Sequence, residues 1–146
     1  MVEFVPATFQ PPRWFATEQF VLEPLGPEHN EADYAAWSSS IDHIRSTPGF
    51  GQRWPREMTL DENRRDLERH AADFAAREGF TYTVRDPNDG GTVGCLYIYP
   101  TDASAGSASV RSWVRADRAE LDRPLRTAVR DWLGRDWPFA TVDYPG

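Results

Sequence analysis

Three groups of residues in this chain have the types and spacing to do chemistry. Tyr97, Tyr99, Asp143 and Tyr144 fall near the ends of β-rich runs, where a phenol or carboxylate can meet a small molecule and relay a proton. Arg115, Arg118 and Arg123 recur through RADRAELDR, where guanidinium groups can hold the oxygens of an anion, although Asp117, Glu120 and Asp122 stand among them as competing partners. Trp37, Phe50 and Trp54, with Asp42 and Glu57 nearby, can line an apolar cleft with acid at its edge, suited to an amine with an apolar body. The same rings can instead close the core or a homodimer interface.

Each group has a plainer reading. Tyrosines alternating along a strand commonly pack across it. His43, beside Asp42 and Arg45 near a helix end, is another candidate base by residue type, but a cation there also complements the helix dipole. His29 falls in a turn and His70 on a polar helix face, and neither is assigned a role. Cys95 is the single cysteine; set within a strand it reads as a small buried residue. No His and Cys cluster has zinc-ligand spacing, so no metal is expected.

The elements that must position these residues follow from periodicity. Residues 1–17 read as a proline-rich arm packing through Phe4, Phe9 and Trp14, and residues 18–146 as one domain. EQFVLEPL alternates as a half-buried strand. Tyr34, Trp37, Ile41 and Ile44 step by threes and fours along one helix face, and an aperiodic aromatic loop, STPGFGQRWPREM, follows. Thr59 and Glu62 form a capping box for a second helix that Gly79 closes, with Asp61–Arg65 and Asp73–Arg77 as surface pairs. FTYTVRD and TVGCLYIYP flank PNDGG as a hairpin, and SASVRSWVRA is the next strand. Pro124 marks the first turn of a third helix, which predicts Asp122 as its N-cap, and the segment before Tyr144 reads as a last short strand.

Composition narrows the partners. All 16 basic residues are arginine against 23 acidic ones, a formal charge of -7. That balance repels nucleic acid and tolerates a cationic ligand over a Debye length of ~8 Å. The lone cysteine fits a reducing cytoplasm, and neither an export signal nor an apolar run of membrane-spanning length is present.

Strand, two helices, hairpin, strand, helix, strand is an order that, with the phrases ATEQFVLEPLGPEH, DGGTVGCLYIYP and SVRSWVRADRAELDRPL, resembles the GNAT superfamily of acyl-CoA N-acyltransferases over residues 18–144. The first phrase is similar to the opening of members that modify protein amino termini, and the second to the hairpin in which an apolar residue and glycine, here Val93 and Gly94, precede an aromatic strand. The resemblance implies an α/β (α+β) fold with a mixed, mostly antiparallel central sheet of about five strands flanked by three helices. It also implies acetyl-CoA as cofactor and transfer of its acetyl group to a small amine or a protein amino terminus. The thioester oxygen would then meet a backbone amide near Trp113 or Val114, Arg115, Arg118 and Arg123 would face the phosphates, Trp37, Phe50 and Trp54 the acceptor, and Tyr97, Tyr99 and Tyr144 would carry protons.

Two departures accompany it. The family grips the pyrophosphate with a glycine-rich loop at a helix N-terminus, whereas residues 115–123 contain no glycine and place Glu120 and Asp122 there. The chain also stops at Gly146, before the segment that usually supplies a tyrosine general acid. These departures define the alternative, a non-catalytic protein of the same fold that binds a ligand or partner through its aromatic loop.

Overall fold

A computed structural model describes residues 3–101 and 106–146 of the chain. Its strands β1 (Phe15–Ala16), β2 (Val21–Pro24), β3 (Phe80–Arg85), β4 (Thr92–Pro100) and β5 (Ser107–Val114) pair antiparallel in chain order, and β6 (Thr141–Asp143) returns parallel to β5. Around them lie α1 (Asn30–Ser38), α2 (Ile41–Ser46), α3 (Leu60–Ala75) and α4 (Asp122–Asp136), with 3-10 turns at Pro27–His29 and Ala116–Leu121. This is the expected mixed, mostly antiparallel α/β architecture, with one more strand and one more helix than the periodicity indicates.

Both additions have local causes. β1 is carved from the expected arm, where Phe15 pairs opposite Leu22. The helix read across residues 34–44 breaks at Ser39 and Ser40: the Ser39 hydroxyl donates to the Ala36 carbonyl at 3.0 Å and Ser40 leaves helical geometry at φ -135°. Serine hydroxyls compete in this way with the helix ladder.

α3 starts as expected. Thr59 Oγ1 accepts from the Glu62 amide at 3.1 Å while Glu62 Oε1 accepts from the Thr59 amide at 2.9 Å. It does not end at Gly79, because Arg77 takes the left-handed turn at φ +63°. Gly79 serves close packing instead, since a Cβ there would lie 2.1 Å from the Tyr99 ring. Arg77 is not paired with Asp73: it donates to the carbonyls of Pro6 and Phe9, anchoring the arm, and Asp73 accepts from Tyr99.

Strand alternation divides the core between two faces of the sheet. Leu96, Ile98, Val110 and Val114 pack with Leu125, Val129 and Trp132 of α4. Phe15 stacks on Trp132 at 4.5 Å, whereas Trp14, expected to pack, is 60% exposed. Cys95, Tyr97 and Trp113 face the other way, toward Trp37, Ile44 and Leu67 of the first three helices and the aromatic loop. Gly94 permits the close β4–β5 approach, because a Cβ there would meet the Trp113 carbonyl oxygen at 2.0 Å. No helix among the described residues is long and apolar enough to cross a membrane.

Candidate functional site

On the helix-covered face opposite α4, a cavity of about 320 Å³ opens between α3 and the β4–β5 pair. Strand alternation sends Tyr97 and Tyr99 of β4 to this face, and the register sets Arg111 of β5 opposite Tyr97. Steps of three and four place Asn63, Asp66, Leu67 and His70 of α3 along the wall, and α1 adds Asp33.

Two polar residues of this wall are buried, Asn63 at 2% exposure and Asp33 at 4%. Asn63 Nδ2 donates to Asp33 Oδ2 at 3.1 Å and to Asn30 Oδ1 at 2.9 Å, while Asn63 Oδ1 accepts from Trp37 Nε1 at 3.0 Å. Burial pushes the Asp33 carboxyl up to about 6, against the Asn63 hydrogen bond that favours the charged form. Among the described residues, no side chain donates to its Oδ1.

His70, given no role by the sequence, is joined by hydrogen bonds to Tyr99 and, through it, to Asp73. Its Nδ1 lies 2.8 Å from Tyr99 Oη and 3.0 Å from Thr81 Oγ1, and Tyr99 Oη donates to Asp73 Oδ2 at 2.8 Å. Because the Tyr99 proton is committed to Asp73, its oxygen accepts from Nδ1–H, and Nε2 carries the lone pair. Burial brings the imidazole down to about 4, so it is neutral at pH 7. Burial likewise pushes Tyr99 up to about 12.

The remaining candidates divide between sites. Tyr97 Oη accepts from Trp113 Nε1 at 2.9 Å, and burial raises its phenol well above the ordinary range. Tyr144 lies on the opposite face, hydrogen-bonded to the Ser112 hydroxyl, in the α4 core. Asp143 is exposed on β6. Trp54 lines the cavity, and Phe50 sits beneath Arg111, whose guanidinium lies 5.0 Å from the Phe50 ring centre and 5.2 Å from that of Tyr97. Trp37 is buried and borders a separate hollow with Tyr34 and Glu57, and Asp42 is exposed away from both.

The turn from β5 to α4 is where the resemblance requires a diphosphate grip. Past Ser109, β5 leaves β6 and pairs with β4 alone, Trp113 opposite Cys95 and Val114 opposite Gly94, both side chains buried in the two cores. Arg115 is held by Asp117 at 2.8 Å and donates to the Thr92 carbonyl, and Arg118 is held by Asp86 at 3.2 Å and Glu120 at 3.4 Å. Arg123 is exposed in the first turn of α4. Asp122 is not the expected N-cap: Leu121 occupies that position, and Asp122 Oδ2 meets His43 Nε2 at 2.8 Å, leaving Oδ1 buried without a partner. The Ala116 amide donates to Ser40 Oγ at 2.8 Å. With a carboxylate at the helix N-terminus, no glycine, and Arg115 and Arg118 engaged, the turn as folded does not fit the diphosphate of acetyl-CoA.

His70, Asp33 and Arg111 are the site residues that sequence reasoning missed. A histidine following Asn63 and Leu67 at helical spacing was the available signal.

No protein-family model matches the chain, and no curated protein is similar to it. Solved structures are. An acetyltransferase from Salmonella typhimurium that modifies the N-terminal serine of ribosomal protein L7/L12 superposes at TM-score 0.66 with 10% identity, covering 84% of this chain and 68% of that one. The microcin C7 self-immunity acetyltransferase, in complex with acetyl-CoA and AMP, superposes at 0.68 with 10% identity over 84% and 67%. A GCN5-related N-acetyltransferase from Brucella melitensis superposes at 0.60 with 16% identity over 88% and 58%. The chain therefore has the GNAT fold, and spans between 58% and 68% of the length of these three proteins.

Proposed function

We propose that this chain is an N-acetyltransferase-like protein that receives an amine, a small molecule or a peptide amino terminus, in the pocket beside α3; its fold implies acetyl-CoA as the acyl donor, and the closed β5–α4 turn stands against that donor. The observation that carries this reading is the chain of hydrogen bonds from His70 Nδ1 through Tyr99 Oη to Asp73 Oδ2. An ammonium must lose a proton before its nitrogen can attack a carbonyl carbon. Asp33, with Asp66 beside it, attracts the cation into the pocket. His70 Nε2 accepts the proton as Nδ1–H passes to Tyr99 and the Tyr99 proton passes to Asp73. Tyr97, buried and already accepting from Trp113, packs the wall rather than relaying. Acetyl-CoA, when bound, supplies an activated acyl thioester.

The closed β5–α4 turn favours a second reading, in which the same pocket binds a ligand without chemistry. Calorimetric titration with acetyl-CoA, followed by an assay of thiol release with a panel of amines, separates the two. Micromolar binding with amine-dependent thiol release supports the enzyme. Absence of binding at millimolar acetyl-CoA overturns it and leaves the ligand-binding protein.

A further inference from the structure

Arg111 stands apart from the arginines around it. Arg85 is held by Glu23, Arg115 by Asp117 and Arg118 by Asp86, each across a short ion pair, and Arg69 of the same pocket is paired with Asp66 at 3.5 Å. Among the described residues no carboxylate pairs with Arg111, although the chain carries 23 acidic residues. The Phe50 and Tyr97 rings hold its guanidinium by cation–π contact, and the side chain lines the cavity. Asp33 stands in the wall of the same cavity, with an oxygen that no side chain among the described residues serves. The pocket thus presents one unpaired cation and one under-used carboxylate between walls of Trp54 and Tyr97. Its volume of about 320 Å³ lies at the low end of the roughly 300–1,000 Å³ of ligand sites, which suits an amino acid and excludes a nucleotide.

We propose that this pocket selects small amines that also carry a carboxylate, zwitterions of the amino-acid type, with Arg111 binding the carboxylate and Asp33 facing the ammonium. The inference rests on the reading of the pocket as an amine site. A bidentate guanidinium–carboxylate pair strengthens recognition in a way that a bare amine cannot reproduce.

The test is calorimetric titration of the full chain with matched pairs, L-phenylalanine against 2-phenylethylamine and L-leucine against isopentylamine, for the wild type, Arg111→Gln and Arg111→Lys. The amino acid of at least one pair binds about tenfold or more tightly than its decarboxylated amine, the size of one charge-assisted contact. Arg111→Gln erases that preference, the amino acid and its decarboxylated amine then binding alike, and Arg111→Lys keeps part of it. Arg111 is exposed, so its variants retain the wild-type unfolding temperature, which thermal scans check. Equal affinities within both pairs, or a preference that survives Arg111→Gln, overturn the carboxylate role of Arg111 and leave the amine site standing. Binding of none of the four ligands overturns this inference, since no zwitterion is then selected, and leaves the amine reading to the thiol-release assay.

Discussion

His43 Nε2 lies 2.8 Å from Asp122 Oδ2, which ties α2 to the first turn of α4, 79 residues away in sequence. Both side chains are largely buried, at 23% and 16% exposure, and the second Asp122 oxygen is already unpartnered. His43→Ala therefore leaves a buried carboxyl group unsatisfied and costs on the order of 1–3 kcal/mol, seen as a lower thermal midpoint. Asp122→Asn removes a carboxylate at similar shape, costs less, and relieves the repulsion of a diphosphate at the start of α4, so acetyl-CoA should bind this variant more tightly than the wild type if it binds either. Unchanged stability of His43→Ala in thermal scans would falsify the first expectation, and unchanged affinity in calorimetry the second.

Asp33 sets a pH dependence of stability. Burial raises its carboxyl from 3.8 to about 6, opposed by Asn63 and His29, with the Asp66 charge adding to the rise. A raised folded-state value means that the folded protein holds the proton more tightly than the unfolded chain. The corresponding stability is present below pH 4 and is lost as pH rises through about 6. Asp33→Asn should match the wild type near pH 4 and exceed it at pH 7 by on the order of 1–3 kcal/mol, measured by urea unfolding at both values. Amine affinity should fall below about pH 6, where the carboxylate is protonated.

His70 works in the opposite direction. Burial lowers the imidazole from 6.5 to about 4, so the unfolded chain binds this proton more readily than the folded one. Stability from the neutral ring is complete above pH 6.5 and lost as pH falls through about 4. Unfolding midpoints between pH 7 and pH 4 should decline less steeply in His70→Asn than in the wild type. Parallel declines would show that the ring titrates normally.

Tyr99 and Tyr144 make a matched comparison, one in the relay and the other in the core on the opposite face of the sheet. Tyr99→Phe breaks the path from His70 to Asp73 and should slow acetylation of the acceptor amine by about 10- to 100-fold. Tyr144→Phe should leave that rate unchanged while costing about 1 kcal/mol for its hydrogen bond. Equal rates for the two variants in a thiol-release assay would remove Tyr99 from the chemistry.

By itself the sequence determined most of the elements, though not β1 or the break between α1 and α2. Alternation in SASVRSWVRA separated Arg111 from Val110 and Val114, and Thr59 with Glu62 marked the start of α3, whereas the register that sets Arg111 opposite Tyr97 came from the β4–β5 pairing. These signals are local, because side-chain direction in a strand or helix repeats every two or three to four residues. The end of α3 escaped because Gly79 answers to the Tyr99 ring rather than to its own backbone angle. Only the tertiary structure decided the site. His70 looks like part of a solvated helix face until Thr81 and Tyr99 close over it from two strands. Asp122 looks like a cap until His43 claims it. Asp33, His70 and Arg111 come from three separate elements and meet only because α1 and α3 pack over the face that Arg111 and Tyr97 share. Which charges are paired is a property of that packing, and residue spacing along one element cannot express it.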